Sequence, residues 1–233
     1  LSIDDGIQKI LIIHIHQASS YIRLFSAYKN NLVIPLIFYI WMTIWGALIL
    51  SNLIKKIQKQ KDDAEHMALH DVLTGLANRR LFTEKFEALC QFSKRHEHMF
   101  CVAVIDLNKF KQVNDTHGHE TGDELLKQVA SRFKKALRSY DLIARLGGDE
   151  FVLILPDSNH EDSLETYRRI HGFLIEPYAI SGLQVTIGAS MGVSYFPEHS
   201  ADTAELMRMA DSAMYLAKSC QSDVEVYGKN LDA

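Results

Sequence analysis

Residues 142–155 read LIARLGGDEFVLIL. Two apolar runs, 142–146 and 151–155, flank Gly147 and Gly148. Glycines at that place let a backbone reverse tightly, so the pattern predicts a β-hairpin with Asp149 and Glu150 at its turn. Upstream, residues 100–107 read FCVAVIDL, a run rich in Val suited to a buried strand. It ends on Asp106. A carboxylate at the end of so apolar a strand is costly unless it is paired or binds a cation.

The rest of the segment alternates helix and strand. Residues 78–95 read as a helix with Asn78 as its N-cap. Residues 122–138 carry the apolar stripe Leu125, Leu126, Val129, Phe133, Ala136 and Leu137. Residues 161–175 are helical. Residues 184–195 read as one strand, or as two broken at Gly188. Residues 201–218 form a helix with Leu206, Met209, Ala213, Met214 and Leu216 on one stripe, and 223–227 a short last strand. The fold class is α/β, a mixed sandwich of one sheet with helices packed on it and at least one antiparallel hairpin. If the hairpin lies beside the 100–107 strand, Asp106 and Asp149 converge. Paired carboxylates at a strand end suit Mg²⁺, which takes hard oxygen ligands and shares them with substrate phosphates. Such a site serves phosphoryl or nucleotidyl transfer. Alone, an Asp-Glu pair in a turn is ordinarily a solvated turn; the joint occurrence gives it weight.

The 233 residues are 47% hydrophobic and 23% charged, which excludes a wholly disordered chain. The net charge of −4 gives no global footprint for nucleic acid. Cys90, Cys101 and Cys220 are few and unpaired in spacing, so neither a disulfide framework nor a structural zinc site is expected. The chain begins at Leu1, which predicts a fragment or a processed product.

Residues 32–54, LVIPLIFYIWMTIWGALILSNLI, contain no charge. As a helix they are roughly 35 Å long, enough for a hydrocarbon core of about 30 Å, so they are expected to span a membrane. Lys55, Lys56, Lys59 and Lys61 follow, against Arg23 and Lys29 before it, which places the C-terminal side in the cytoplasm. Residues 1–31 then lie outside as the end of a larger extracytoplasmic region. His14 and His16 would share a face on a strand, though ordinary packing is the expectation. Leu50, Leu53, Ile57, Gln60, Ala64 and Met67 keep a 3-4 rhythm, so residues 55–70 read as a short coiled-coil or plain amphipathic linker helix. The soluble domain occupies 71–233.

Three motifs carry a resemblance. RLGGDEF at 145–151 resembles the motif that names the GGDEF domain of diguanylate cyclases. HDVLTGLANRR at 70–80 looks like that domain's opening motif, with Val72 where proline is common. DLNKFKQVNDTHGHETGDELL at 106–126 is similar to its metal- and guanine-binding segment. The match spans residues 71–227, roughly two-thirds of the chain.

The resemblance implies a palm-like nucleotidyl-cyclase sheet with flanking helices and roles for named residues. Asp106, the Leu107 carbonyl and Asp149 match Mg²⁺ ligands, with Mn²⁺ a possible substitute. Asn114 and Asp123 match a guanine-reading pair; a carboxylate accepts from both N1–H and the N2 amine of guanine, a donor pair adenine lacks. Lys111 and Lys218 match phosphate-binding lysines, and His119 a histidine beside the nucleotide. Asp149 or Glu150 would be the general base. The implied reaction condenses two GTP into cyclic di-GMP and two pyrophosphates between two facing domains, hence a homodimer. Arg138 and Asp141, in an RxxD, with Arg169, resemble an inhibitory site for the product. One departure stands out: four residues after Lys218, where the family has arginine, this chain has Ser222. That leaves a second reading, a catalytically silent domain that binds GTP or cyclic di-GMP.

Overall fold

The apolar run ending at Asp106 becomes the central strand β1 (Phe100–Asn108), of which only Asn108 is not buried. The computed structural model describes the backbone of residues 3–228, and the side chains of all of these except 3–10, 63 and 65. The chain divides into two compact units, Leu1–Asp63 and Ala64–Ala233.

The first unit is helical. Helix α1 (Ile3–Tyr28) leads through a π-helical turn (Lys29–Val33) into α2 (Ile34–Leu69), which starts in this unit and ends in the second. Pro35 is the second residue of α2, which follows the π-helical turn without a break, so its missing N–H leaves a carbonyl of the preceding turn without its helical partner. Phe38, Trp41, Trp45 and Leu48 are exposed rather than gathered into a core. The stretch Leu11–Leu69 is long and apolar enough, by length and composition, to cross a membrane. His14 and His16 lie in α1, not on a strand. A two-residue step on a helix turns about 200°, so they do not share a face.

The second unit is one five-stranded sheet with helices on both faces. After α3 (Arg79–His96), β1, α4 (Phe110–His117) and α5 (His119–Ala136) come the hairpin β2 (Leu142–Gly147) and β3 (Glu150–Pro156). Then follow α6 (His160–Ile175), β4 (Tyr178–Ile180), β5 (Leu183–Val185), β6 (Gly188–Phe196), α7 (Thr203–Cys220) and β7 (Val224–Val226). The sheet order is β2-β3-β1-β6-β7, and β4 and β5 form a separate small ribbon. β1 is antiparallel to β3 and β6; β7 joins β6 in parallel. Period-two alternation along β1 splits the core. Cys101, Ala103, Ile105 and Leu107 face α5 and α6, while Phe100, Val102 and Val104 face α3 and α7.

The expected N-cap forms at Asn78, and a second one, not singled out in the sequence, forms at Asp202. Asn78 accepts a hydrogen bond from the Leu81 N–H, and Asp202 one from Glu205 N–H, each opening its helix. The 184–195 run is two strands, broken before Gly188. Sequence patterning gave no sign of α4 or β4. α4 buries only Phe110 and Val113, and β4 has three residues, too few to carry a period. α5 also begins earlier than expected, because Gly118, at φ 87°, turns the chain directly out of α4.

Candidate functional site

The site residues collect at the C-terminal end of β1. Asp106 stands directly across from Glu150 on β3, and the Leu107 N–H donates to the Asp149 carbonyl at 3.3 Å. In an antiparallel strand a residue's N–H and C=O lie on the same edge, so the Leu107 carbonyl also faces the hairpin turn. Gly147 (φ 152°) and Gly148 (φ 53°) make that turn, with a register shift between Arg145 and Gly147. On the other side, Asp106 pairs with Ser190, whose hydroxyl accepts from the Asn108 amide at 3.0 Å.

Asp106 is 8% exposed, yet its carboxylate is paired. The Lys218 ammonium, in the last turn of α7, donates to its Oδ1 at 2.7 Å. Lys218 also lines a cavity of about 410 Å³ with Asn108, Lys109, Gly188, Ser222 and Asp223. Lys109 adopts φ 67° at the start of α4, a left-handed conformation that is uncommon for a residue with a side chain. The Ser222 hydroxyl donates to Glu225 Oε1 at 2.7 Å in the turn that leaves α7.

Asn114 lies on α4 and Asp123 on α5, two helices packed against each other. The Asn114 side chain lies against Gly122, one residue before Asp123. Lys111, His119 and Asp123 are exposed on the same two helices. At the far end of α5, Arg138, Asp141 and Arg169 form a second cluster. The Arg138 N–H donates to Asp141 Oδ2 at 2.8 Å, its guanidinium donates to the Tyr140 hydroxyl at 2.7 Å, and Arg169 donates to the Ala136 carbonyl at 3.1 Å. Burial pushes the Asp141 carboxyl above its ordinary value, against the opposing pull of Arg138 and Arg169. Sequence-expected groups therefore fall into three sets, one at the β1 rim, one on the α4–α5 pair and one at the end of α5.

Two residues of this rim carry no role in the sequence reading. Arg145 donates from Nε and Nη2 to the Gly148 carbonyl, at 2.9 and 2.8 Å, and from Nη1 to Asp71 Oδ1 at 3.0 Å. Its guanidinium thus straps the glycine turn to the segment that follows α2. Burial would raise the Asp71 carboxyl. Hydrogen bonds from Thr74 and Arg145 outweigh it and hold the group below its ordinary value. The available signal was an arginine two residues before a glycine pair, which names no partner.

Among the described residues no three His, Cys, Asp or Glu side chains converge as a ready metal cage. Asp106, Asp149 and the Leu107 carbonyl, the groups the resemblance matches to a cation, would offer it oxygen donors only. That fits a hard divalent cation whose remaining positions are filled by water and phosphate oxygens. The Lys218 ammonium on Asp106 marks the place as one that draws positive charge. Fold and rim together define an α/β domain whose central strand ends in a buried, lysine-paired carboxylate beside a glycine turn.

A family model described as "Diguanylate cyclase, GGDEF domain" matches residues 68–223. The bifunctional diguanylate cyclase/cyclic di-GMP phosphodiesterase MucR of Pseudomonas aeruginosa is 43% identical over 152 residues, 65% of this chain and 22% of MucR. Diguanylate cyclase TpbB of the same organism is 37% identical over 165 residues, 70% of this chain and 38% of TpbB. The structure of a TpbB variant comprising only the GGDEF domain superposes with a TM-score of 0.67 at 35% identity, covering 69% of this chain and 95% of that one. The coiled coil and GGDEF domain of DgcB from Caulobacter crescentus, in complex with c-di-GMP, matches with a TM-score of 0.69 at 26% identity, covering 76% and 94%. The chain belongs to the GGDEF, diguanylate cyclase, family. It spans well under half the length of the curated relatives MucR and TpbB.

Proposed function

We propose that the chain is a membrane-anchored diguanylate cyclase that condenses two GTP into cyclic di-GMP and two pyrophosphates. The observation that carries this reading is the rim where Asp106, the Leu107 carbonyl, the Gly147–Gly148 turn and Lys218 meet, in a domain of this family. Asp106, Asp149 and the Leu107 carbonyl would hold Mg²⁺, or Mn²⁺ in its place. The ion supplies Lewis-acid polarisation of the α-phosphate when bound. Lys218 and Lys111 would bind phosphate oxygens, and the cavity of about 410 Å³ beside Lys218 would receive the triphosphate tail. Asn114 and Asp123 would read guanine, with His119 beside the nucleotide. A carboxylate oxygen of Asp149 or Glu150 would take the proton from the ribose 3′-hydroxyl. The 3′-oxygen then attacks the α-phosphorus of the other GTP, and pyrophosphate leaves.

Each domain holds one GTP, so two copies must face each other and the reacting species is a homodimer. In this reading residues 1–31 are the end of an extracytoplasmic region, 32–54 cross the inner membrane once, 55–70 link and 71–233 form the cytoplasmic GGDEF domain. The anchor raises the effective concentration of one domain near its partner. Arg138, Asp141 and Arg169 would bind the product and inhibit. Arginine suits that ligand because its planar fork meets phosphate bidentately.

The test uses the full chain in detergent micelles with GTP and Mg²⁺, with nucleotides separated by chromatography. The parent is expected to form cyclic di-GMP and pyrophosphate. Asp149→Ala is expected to lose about 100-fold or more of that rate with GTP binding retained. The second reading, a silent receptor, is favoured by Ser222, whose hydroxyl is engaged by Glu225 where the family carries an arginine. A parent that binds GTP and forms no product would establish it.

A further inference from the structure

Gly122 is the fourth residue of α5, at the end of its first turn, is buried, and has ordinary helical backbone. Glycine in a helix is less favourable than alanine, so a glycine without a conformational reason needs another one. Gly118, before α5, has such a reason in its φ of 87°; Gly122 does not. What Gly122 supplies is space. A Cβ at this position would stand 1.8 Å from Asn114 Oδ1 and 2.9 Å from Asn114 Cγ. Both are far below contact distance, and no other atom lies as near. The Asn114 amide therefore occupies the volume that any side chain at 122 would take.

Nothing else fixes that amide. Among the described residues, no hydrogen bond reaches the Asn114 side chain, which is half-buried at the α4–α5 junction. Its placement rests on packing against the bare α-carbon of Gly122. Asp123, the residue after Gly122, is exposed. One glycine thus seats the first of the two groups and carries the second on the following residue. We propose that Gly122 is a positioning residue for base selectivity: its missing side chain seats the Asn114 amide beside Asp123, and so sets the preference for guanine. The inference rests on the reading of Asn114 and Asp123 as the guanine-binding pair.

The rule behind the test is that function and stability move in opposite directions. Gly122→Ala improves helix propensity, so thermal stability holds or rises. The Cβ expels the amide, so GTP binding falls. Four full-chain proteins in detergent are compared: parent, Gly122→Ala, Asn114→Ala and the double variant. Dissociation constants for GTPαS and for ATPαS are measured by calorimetry, with Tm by near-ultraviolet circular dichroism. Gly122→Ala is expected to weaken GTPαS by about ten-fold, to erode discrimination against ATPαS, and to keep Tm. In the Asn114→Ala background the same change is expected to alter affinity by less than about two-fold, because no amide remains to be displaced.

Equal losses in both backgrounds would overturn the proposal, as would unchanged affinity in Gly122→Ala. If Gly122→Ala unfolds while the double variant folds, the steric seat stands. If both unfold, the glycine serves only the approach of α4 to α5 and the proposal falls. Product formation by the parent is read separately. A parent that binds GTPαS without making cyclic di-GMP sinks the cyclase reading and leaves this one intact. A parent that binds no GTPαS sinks both.

Discussion

On the face of the sheet that carries α3 and α7, the closest approach is backbone to backbone. A Cβ at Gly192 of β6 would stand 1.9 Å from the Met214 amide nitrogen and 2.2 Å from the Ala210 carbonyl oxygen of α7. On the face that carries α5 and α6, the space is filled by large side chains such as Phe133, Phe151 and Tyr167, all fully buried. There the end of α6 is tied down by a single arginine of α5. Arg132 donates to the carbonyls of Phe173, Glu176 and Pro177 at 2.7, 2.6 and 2.7 Å, and its guanidinium lies 3.5 Å over the Tyr178 ring. The first face has no volume to spare, and its α7 delivers Lys218 to Asp106. The second face is held by side chains, and it carries the Arg138–Asp141–Arg169 cluster. Position of the rim thus depends on a contact that a single methyl group would break, whereas the opposite face is filled by side chains and tied at the end of α6 by the bonds of one guanidinium.

The largest effect is expected at Gly192. Gly192→Ala forces α7 off β6, since neither clashing atom belongs to a flexible side chain. The expected cost is about 3 kcal/mol, or a fall in Tm of roughly 6–12 °C, with GTP affinity lost as Lys218 leaves Asp106. A melting curve within about 1 °C of the parent would break the contrast between the faces. A smaller effect is expected at Arg132. Arg132→Ala leaves carbonyls at the end of α6 without their donor, at about 2 kcal/mol or roughly 4–8 °C in Tm. Arg132→Lys should recover less than half of it, because an ammonium cannot span these carbonyls and lie flat on Tyr178. Full recovery would mean that charge alone holds this face.

The smallest effect belongs to neither face but to the strap at the sheet edge. The folded Asp71 carboxyl titrates below its ordinary value of 3.8. Its contribution to stability is therefore fully present above that value and lost as pH falls through the lowered one. Asp71→Asn is expected to cost about 1 kcal/mol at pH 7. The Tm difference from the parent should close as pH drops below about 4. A gap independent of pH would assign the loss to packing instead of the Arg145 ion pair.

Much of this architecture is legible in the chain itself. Asn78 announces α3, the alternating apolar runs announce β1 and the hairpin, and the glycine pair announces the turn that holds Asp149. These signals are local, because an N-cap, a strand period and a reverse turn are each decided by a few neighbouring residues. The helix α4 escapes such reading, since its two buried residues find their partners only in the folded domain. His14 and His16 show the converse: their pairing depended on assuming a strand, and the helix α1 separates them. Arg145 was visible but mute, because a guanidinium does not name its partner, and Asp71 lies 74 residues away.

The sequence by itself determined the family, the sheet with its flanking helices, the charge-free run at 32–54, and which carboxylates end which strands. The tertiary structure alone decided that Lys218, 112 residues from Asp106, closes on it, that Gly192 must be bare for α7 to lie where it does, and that Gly122 is the seat of Asn114. The physical reason is range. Periodicity and capping act within a turn or two of chain, whereas close approach of two backbones and the pairing of a buried charge depend on which distant segments folding brings together.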